Sequence, residues 1–364
     1  MTVIGCSWWC KLLEDDEKLI VDYTRVRPDI VEFFMGLLPD TQKLTMEFLT
    51  KNPPVGLDLE DLNRRIRIGN HRFLREESTE GLVSDEELLY WAEMGKYIMD
   101  AYSFANEPIP EDVKCTPVDA GGVSAEWQDC SNPDMDKVIL YFHGGGYVRG
   151  SIRSHRFITF PIGRVSNSRV LSVGYRLAPE HPFPAQLEDA LQVYRWLLES
   201  GVHSSNVIIM GLSAGAHLSL SLMVKLNELG MEMPAGVVLK SPATDYTSIT
   251  ESHRKNSPLD PFLGDIGIFL MVNAFVGDAD PTNPLLSPVY ADLSSFPPLL
   301  LQVGTNEVMY DQCRMFVEKA KDAGVDAILQ EFPEMVHGWH LIEVPEANDA
   351  YEKIGDFVRA RLGS

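Results

Sequence analysis

The apolar positions of this chain change period near residue 110. Before it, helical patterns run through Pro28–Leu38, Asp40–Leu49, Leu57–Arg67 and Ser84–Tyr102. Their apolar side chains recur at the three- and four-residue spacing that gathers them on one face of a helix. Asp40 and Ser84 are residue types that cap helix starts. Pro108 and Pro110 mark a junction. From residue 113 short apolar runs take over: Val138–Phe142, Val170–Val173, Val207–Met210, Val237–Leu239, Leu299–Val303 and Ala327–Phe332. Helical segments separate them, among them Gln186–Ser200 and Asp311–Ala323. Strands that alternate with helices predict a mostly parallel sheet covered on both faces. Two parts are therefore expected, a helical region over residues 1–110 and an α/β domain over 111–364.

The totals narrow the classes of function. A length of 364 residues suffices for one large domain with an appendage, or for two domains. The net charge of −22 repels nucleic acid and anionic membranes, so neither is expected as a partner. Five cysteines, an odd number spread along the chain, do not suggest a disulfide framework and fit a reducing compartment. The leading residues MTVIGCSWWCKLLEDDEKL lack the basic start and long apolar core of a signal peptide, so a cytoplasmic location is expected. No stretch reaches 18 apolar residues, so no membrane span is expected. Trp8, Trp9, Leu12 and Leu13 would make an apolar face, but the acidic run Glu14–Glu17 opposes an anionic lipid surface. Packing against the rest of the protein is the expectation. Cys6 and Cys10 are not at a zinc-pair spacing and no H-E-x-x-H occurs, so no metal is expected.

Candidate chemistry sits at the ends of two predicted strands. The apolar run at 207–210 leads into Gly211-Leu212-Ser213-Ala214-Gly215, and a helical pattern follows as far as Gly230. Strand, sharp turn, helix is the context of a G-x-S-x-G nucleophile elbow, with Ser213 at its apex. The run at 138–142 leads into His143-Gly144-Gly145-Gly146-Tyr147. Consecutive glycines there let backbone N–H groups approach a developing oxyanion. The expected donors are the amides of Gly144, Gly145 and Ala214. His143 reads as a structural residue that orients the loop.

HGGGY, the long run YRLAPEHPFPA at 175–185 and GLSAG together resemble the hormone-sensitive-lipase-like family of α/β-hydrolase esterases, over about residues 137–364. The resemblance implies a mostly parallel eight-stranded sheet with helices on both faces and a helical cap. That cap would come from the N-terminal region and from an insertion at about 245–292, which includes the apolar segment Ile266–Val276. The run 175–185 would be architectural, holding the region beside the oxyanion loop. The family commonly shows an acid, three residues and a second acid after the strand corresponding to 299–303. Glu307 and Asp311 have that spacing, so Glu307 matches the catalytic acid and Asp311 starts the next helix; Asn306 is neutral and cannot stabilise an imidazolium. Met335-Val336-His337-Gly338-Trp339 resembles the family's histidine turn, which makes His337 the base. His340 would take a surface or cap role.

Two features depart from the family pattern. Leu212 precedes the serine where a polar residue is usual, and Gly215-Ala216-His217 follows Ala214 where Gly-Gly is usual. His217 reads as a neutral helix residue rather than a substrate contact. The N-terminal region is long, which suggests an enlarged cap. The resemblance implies a serine carboxylesterase or deacetylase acting on a small to medium hydrophobic ester, with no cofactor. Acyl transfer or cyclisation on the same site is the alternative. A binding module is a third reading, against which His337 in its motif argues. A monomer and a homodimer both remain open.

Overall fold

In the computed structural model, residues 21–101, 108–264 and 268–363 are described. They hold eight strands in one sheet: β1 (Val113–Asp119), β2 (Ser124–Cys130), β3 (Asp134–Phe142), β4 (Ser168–Val173), β5 (Val207–Leu212), β6 (Gly236–Lys240), β7 (Leu299–Gly304) and β8 (Ala327–Phe332). The spatial order is β1-β2-β4-β3-β5-β6-β7-β8. Only β1 with β2 and β2 with β4 pair antiparallel. Ten α-helices are described: α1 (Pro28–Lys51), α2 (Leu59–Leu74), α3 (Asp85–Ala101), α4 (Arg156–Ser166), α5 (Ala185–Glu199), α6 (Ala214–Glu228), α7 (Glu251–Asn256), α8 (Ile268–Val276), α9 (Tyr310–Asp322) and α10 (Pro345–Leu362).

The alternation of side chains along a strand makes two cores from one sheet. Leu140, Ile209, Leu239 and Leu301 face one side, with Val193 of α5, Leu222 of α6 and Phe316 of α9. Tyr141, Ile208, Met210, Val238 and Leu300 face the other, with Ile158 of α4 and Ile354 of α10. Both faces of the central strands are thus apolar, which is why they read as unbroken apolar runs.

Among the described residues before 108 the chain forms α1, α2 and α3, and one expected helix start differs. Asp40 caps nothing: it lies inside α1, a single 24-residue helix that also runs through Pro39. Ile30 near one end is buried under the sheet and Phe48 near the other packs on Tyr90 and Tyr97 of α3. Burial at both ends overrides the local stop signal. Ser84 does cap α3: the Glu87 N–H donates to Ser84 Oγ at 3.3 Å, and the Ser84 N–H to Glu87 Oε2 at 2.9 Å. Asp58 caps α2 by accepting from the N–H groups of Glu60 and Asp61. Leu62 and Ile66 of α2 pack with Phe269 and Leu270 of α8, so N-terminal region and insertion share a core. The Trp8, Trp9, Leu12 and Leu13 face lies outside the described residues. Cys115, Cys130 and Cys313 are free thiols. No helix among the described residues is long and apolar enough to cross a membrane.

Candidate active site

β5 delivers Ser213 to the start of α6 with φ 55° and ψ −118°. Left-handed φ at a non-glycine residue is uncommon and costs energy, so the surroundings must enforce it. The flanking glycines explain how. A Cβ on Gly215 would lie 2.0 Å from the Phe142 carbonyl oxygen, and one on Gly211 would lie 2.2 Å from the Gly215 carbonyl. Only glycines let the turn pack this tightly onto β3. The Ser213 N–H donates to the Lys240 carbonyl at 2.7 Å, fixing the apex against β6.

His337 and Glu307 meet Ser213 from two other loops. His337 Nε2 lies 2.9 Å from Ser213 Oγ, and His337 Nδ1 lies 2.9 Å from Glu307 Oε2. With Nδ1–H donating to the carboxylate, Nε2 is left to accept from the serine hydroxyl. Glu307 is fully buried. Its other oxygen, Oε1, accepts from Ser241 Oγ at 2.7 Å and from the Gly304 N–H at 2.6 Å. Burial opposes the charged form of His337, but the hydrogen bond and charge of Glu307, with a contribution from Asp260, outweigh it and raise its pKa. Asp311 does not reach the histidine. It sits in the first turn of α9, where its Oδ2 accepts from the Ser252 N–H at 2.8 Å.

The glycine loop requires a correction. The Gly144 N–H already donates to His155 Nε2 at 3.0 Å, so it is not free for an oxyanion. His155 follows the loop in a short 3-10 turn and is buried. Burial, then the neighbouring His143, keep it neutral and far below the usual histidine pKa. Since Nε2 accepts, the ring proton is on Nδ1, which faces Ser154 Oγ at 3.1 Å. The amides of Gly145, Gly146 and Ala214 have no acceptor among the described residues. Gly145 has φ 117°, and a Cβ there would lie 2.2 Å from the Arg149 carbonyl oxygen.

His143, His217 and His340 pack inside the fold. His143 stacks on Tyr175 with centroids 4.2 Å apart, and the Tyr175 hydroxyl donates to the His143 carbonyl at 2.6 Å. Burial lowers its pKa to about 4. Tyr175 opens the architectural run, and Arg176 anchors that run by pairing with Asp189 of α5. His217 is also lowered to about 4 by burial. Its Nε2 is 2.6 Å from the Leu286 carbonyl and its Nδ1 is 2.5 Å from the Tyr147 hydroxyl. It bridges α6, the glycine loop and the insertion, as a neutral side chain. Leu212 is buried in the second core. His340 corrects the expectation of a surface or cap role: it is buried, stacked on Trp339 at 3.7 Å, with Nε2 3.3 Å from Gln302 Oε1. The alternation of β7 places Gln302 on the second-core side, and this draws the histidine inward. Lys240 is fully buried as well, with its Nζ 4.8 Å over the Tyr351 ring and without a hydrogen-bond partner. Burial pushes its pKa well below the usual lysine value. No group of three His, Cys, Asp or Glu that could hold a metal occurs among the described residues.

A mostly parallel sheet with a strained serine at a strand-to-helix turn, met by a histidine and an acid from later loops, defines an α/β-hydrolase. A family model described as alpha/beta hydrolase fold matches residues 139–341. An acetyl-hydrolase of Streptomyces hygroscopicus is 38% identical over 68% of this chain and 83% of its own length. An esterase of Acinetobacter venetianus is 32% identical over 67% of this chain and 82% of its own. Among solved structures, an esterase from the bacterial hormone-sensitive lipase family superposes with a TM-score of 0.70 at 36% identity, covering 83% of this chain and all but 2% of the other (98% covered). EstE5, soaked by p-nitrophenyl butyrate, gives 0.72 at 34% identity over 82% and 99%. The chain belongs to the hormone-sensitive-lipase-like family of α/β-hydrolase esterases, and it is a carboxylic ester hydrolase.

Proposed function

We propose that Ser213, His337 and Glu307 are the catalytic triad of a carboxylesterase or deacetylase that acts on a small to medium hydrophobic ester. The observation that carries this reading is the unbroken Ser–His–Glu chain of two 2.9 Å contacts. His337 Nε2 takes the Ser213 proton as Oγ attacks the ester carbonyl. Glu307 fixes the tautomer and stabilises the imidazolium. The free amides of Gly145, Gly146 and Ala214, the last at the positive end of α6, receive the oxyanion. The alcohol leaves with the proton from His337, and water then releases the acyl group by the reverse sequence.

A cleft of about 260 Å³ lies between α2, α8 and the start of the insertion, and neither Ser213 nor His337 lines it. Its lining mixes Phe73, Ile268 and Val272 with the polar Glu76, Asp245 and Gln312. The shared core of Leu62 and Ile66 with Phe269 and Leu270 supports reading the described N-terminal helices and the insertion at about 245–292 as one cap. Acyl transfer or cyclisation draws no support from Leu212 and His217, since both are buried in the core. A cytoplasmic setting suits the free thiols. The test is turnover of p-nitrophenyl esters from acetate to decanoate by the wild type and Ser213→Ala. The expected result is a preference for short and medium chains, and loss of several orders of magnitude in the variant. Comparable turnover by folded Ser213→Ala would overturn the assignment.

A further inference from the structure

The loop that carries Glu307 is gripped from outside the sheet by the insertion. Ser252 of α7 donates from Oγ to the Val308 carbonyl at 2.8 Å and accepts from the Asp311 N–H at 3.1 Å. Asn256 Nδ2 donates to the carbonyls of Thr305 at 3.0 Å and Glu307 at 2.8 Å. Asp260 Oδ2 accepts from the Val308 N–H at 3.2 Å, while Oδ1 accepts from the N–H groups of Phe262 and Leu263. Two residues further on, the Phe262 ring lies against the turn of His337: a Cβ on Gly338 would lie 3.2 Å from it. The segment 252–262 therefore touches the loops of both the acid and the base.

Asp260 is fully buried, and no lysine or arginine pairs with it among the described residues. The titratable groups that act on it are His337 and Glu307. Burial, helped by Glu307, pushes its pKa up to about 6, while His337 pulls it down. In return its charge favours the protonated form of His337. A buried carboxylate is costly unless something compensates it. Here three backbone donors and a neighbouring imidazole do so.

We infer that Asp260 is a positioning residue of the esterase site, holding the Glu307 loop through Val308 and stabilising the His337 imidazolium with its charge. This rests on the Ser213–His337–Glu307 reading. Charge and positioning leave different marks. Removing the charge lets His337 lose its proton more easily, so the enzyme stays active to lower pH. The same change weakens the imidazolium formed during attack, so the plateau rate falls.

The experiment is kcat/KM for p-nitrophenyl acetate against pH, for wild type, Ser213→Ala and Asp260→Asn. Turnover by wild type and none by Ser213→Ala secures the triad reading first; its failure would show there, before Asp260 is examined. For Asp260→Asn the midpoint of the acid limb should fall by about half a pH unit or more, a roughly threefold loss of proton affinity. Plateau kcat should fall up to about tenfold with KM within about twofold, since the lost interaction is made mainly in the transition state. A midpoint that stays in place or rises overturns the inference, even if kcat falls. If Asp260→Asn does not fold, Asp260→Ser is read by the same criteria, because it brings no amide N–H against the Val308 donor.

Discussion

Glu307→Gln should lower kcat by about 10⁴, the loss typical when a triad acid becomes its amide. The structure gives the reason. Glu307 Oε1 accepts two hydrogen bonds, from Ser241 Oγ and the Gly304 N–H. In glutamine only the carbonyl oxygen can serve the Gly304 N–H, so the amide nitrogen must turn to His337. That nitrogen donates, and the His337 Nδ1 it faces at 2.9 Å must become an acceptor. The ring proton then moves to Nε2, the atom that should accept from Ser213. A 10⁴-fold loss corresponds to roughly 5 kcal/mol of barrier. Asp311→Asn is the control. Its carbonyl oxygen can keep accepting from the Ser252 N–H, so a cost of at most about 1 kcal/mol in stability and a nearly unchanged kcat are expected. The assay is initial-rate hydrolysis of p-nitrophenyl acetate at saturation, with folding checked by circular dichroism. A Glu307→Gln enzyme within tenfold of wild type, or an Asp311→Asn enzyme equally impaired, would refute the reasoning.

Lys240→Met should stabilise the fold at pH 7, because the buried, unpartnered Nζ gives way to an apolar side chain. Native Lys240 binds its proton less readily than unfolded Lys240, so wild-type stability climbs with pH towards 10.5. The gain from methionine is therefore largest near neutrality and shrinks towards pH 10.5, at about 1.4 kcal/mol per tenfold loss of proton affinity; urea unfolding at pH 7 and 10 checks the sign. His155→Ala should remove the acceptor that fixes the Gly144 N–H and lower kcat by about 10² through a loosened oxyanion loop, with KM little changed. Steady-state kinetics at one pH are sufficient, and an unchanged kcat would show that the loop holds without His155.

The central architecture was legible because its strands are apolar on both faces and each loop of the proposed triad follows such a strand. Ser213 and His337 stand in motifs, and the proposed acid, Glu307, is singled out by its spacing from Asp311. What escaped depended on contacts between distant segments. Nothing near Gly144 in sequence shows that His155 takes its N–H, because eleven positions separate the two and only the fold brings them together. Asp260 and Asn256 lie in an insertion without a motif, and only the fold brings them to Glu307. Asp40 misled because a cap residue is a local signal, while the ends of α1 are buried by partners far along the chain. His340 was misplaced because the period of β7 places Gln302 beneath it.

The most direct measurement is the site of covalent capture by a fluorophosphonate, which a serine activated by histidine attacks and an ordinary serine does not. Intact-mass analysis should give one adduct per chain, and peptide mapping should place it on Ser213. His337→Ala should abolish labelling, and Glu307→Gln should slow it by a factor comparable to its loss in kcat. An adduct on another residue, or none on a folded protein that hydrolyses p-nitrophenyl acetate, would contradict the Ser213–His337–Glu307 assignment.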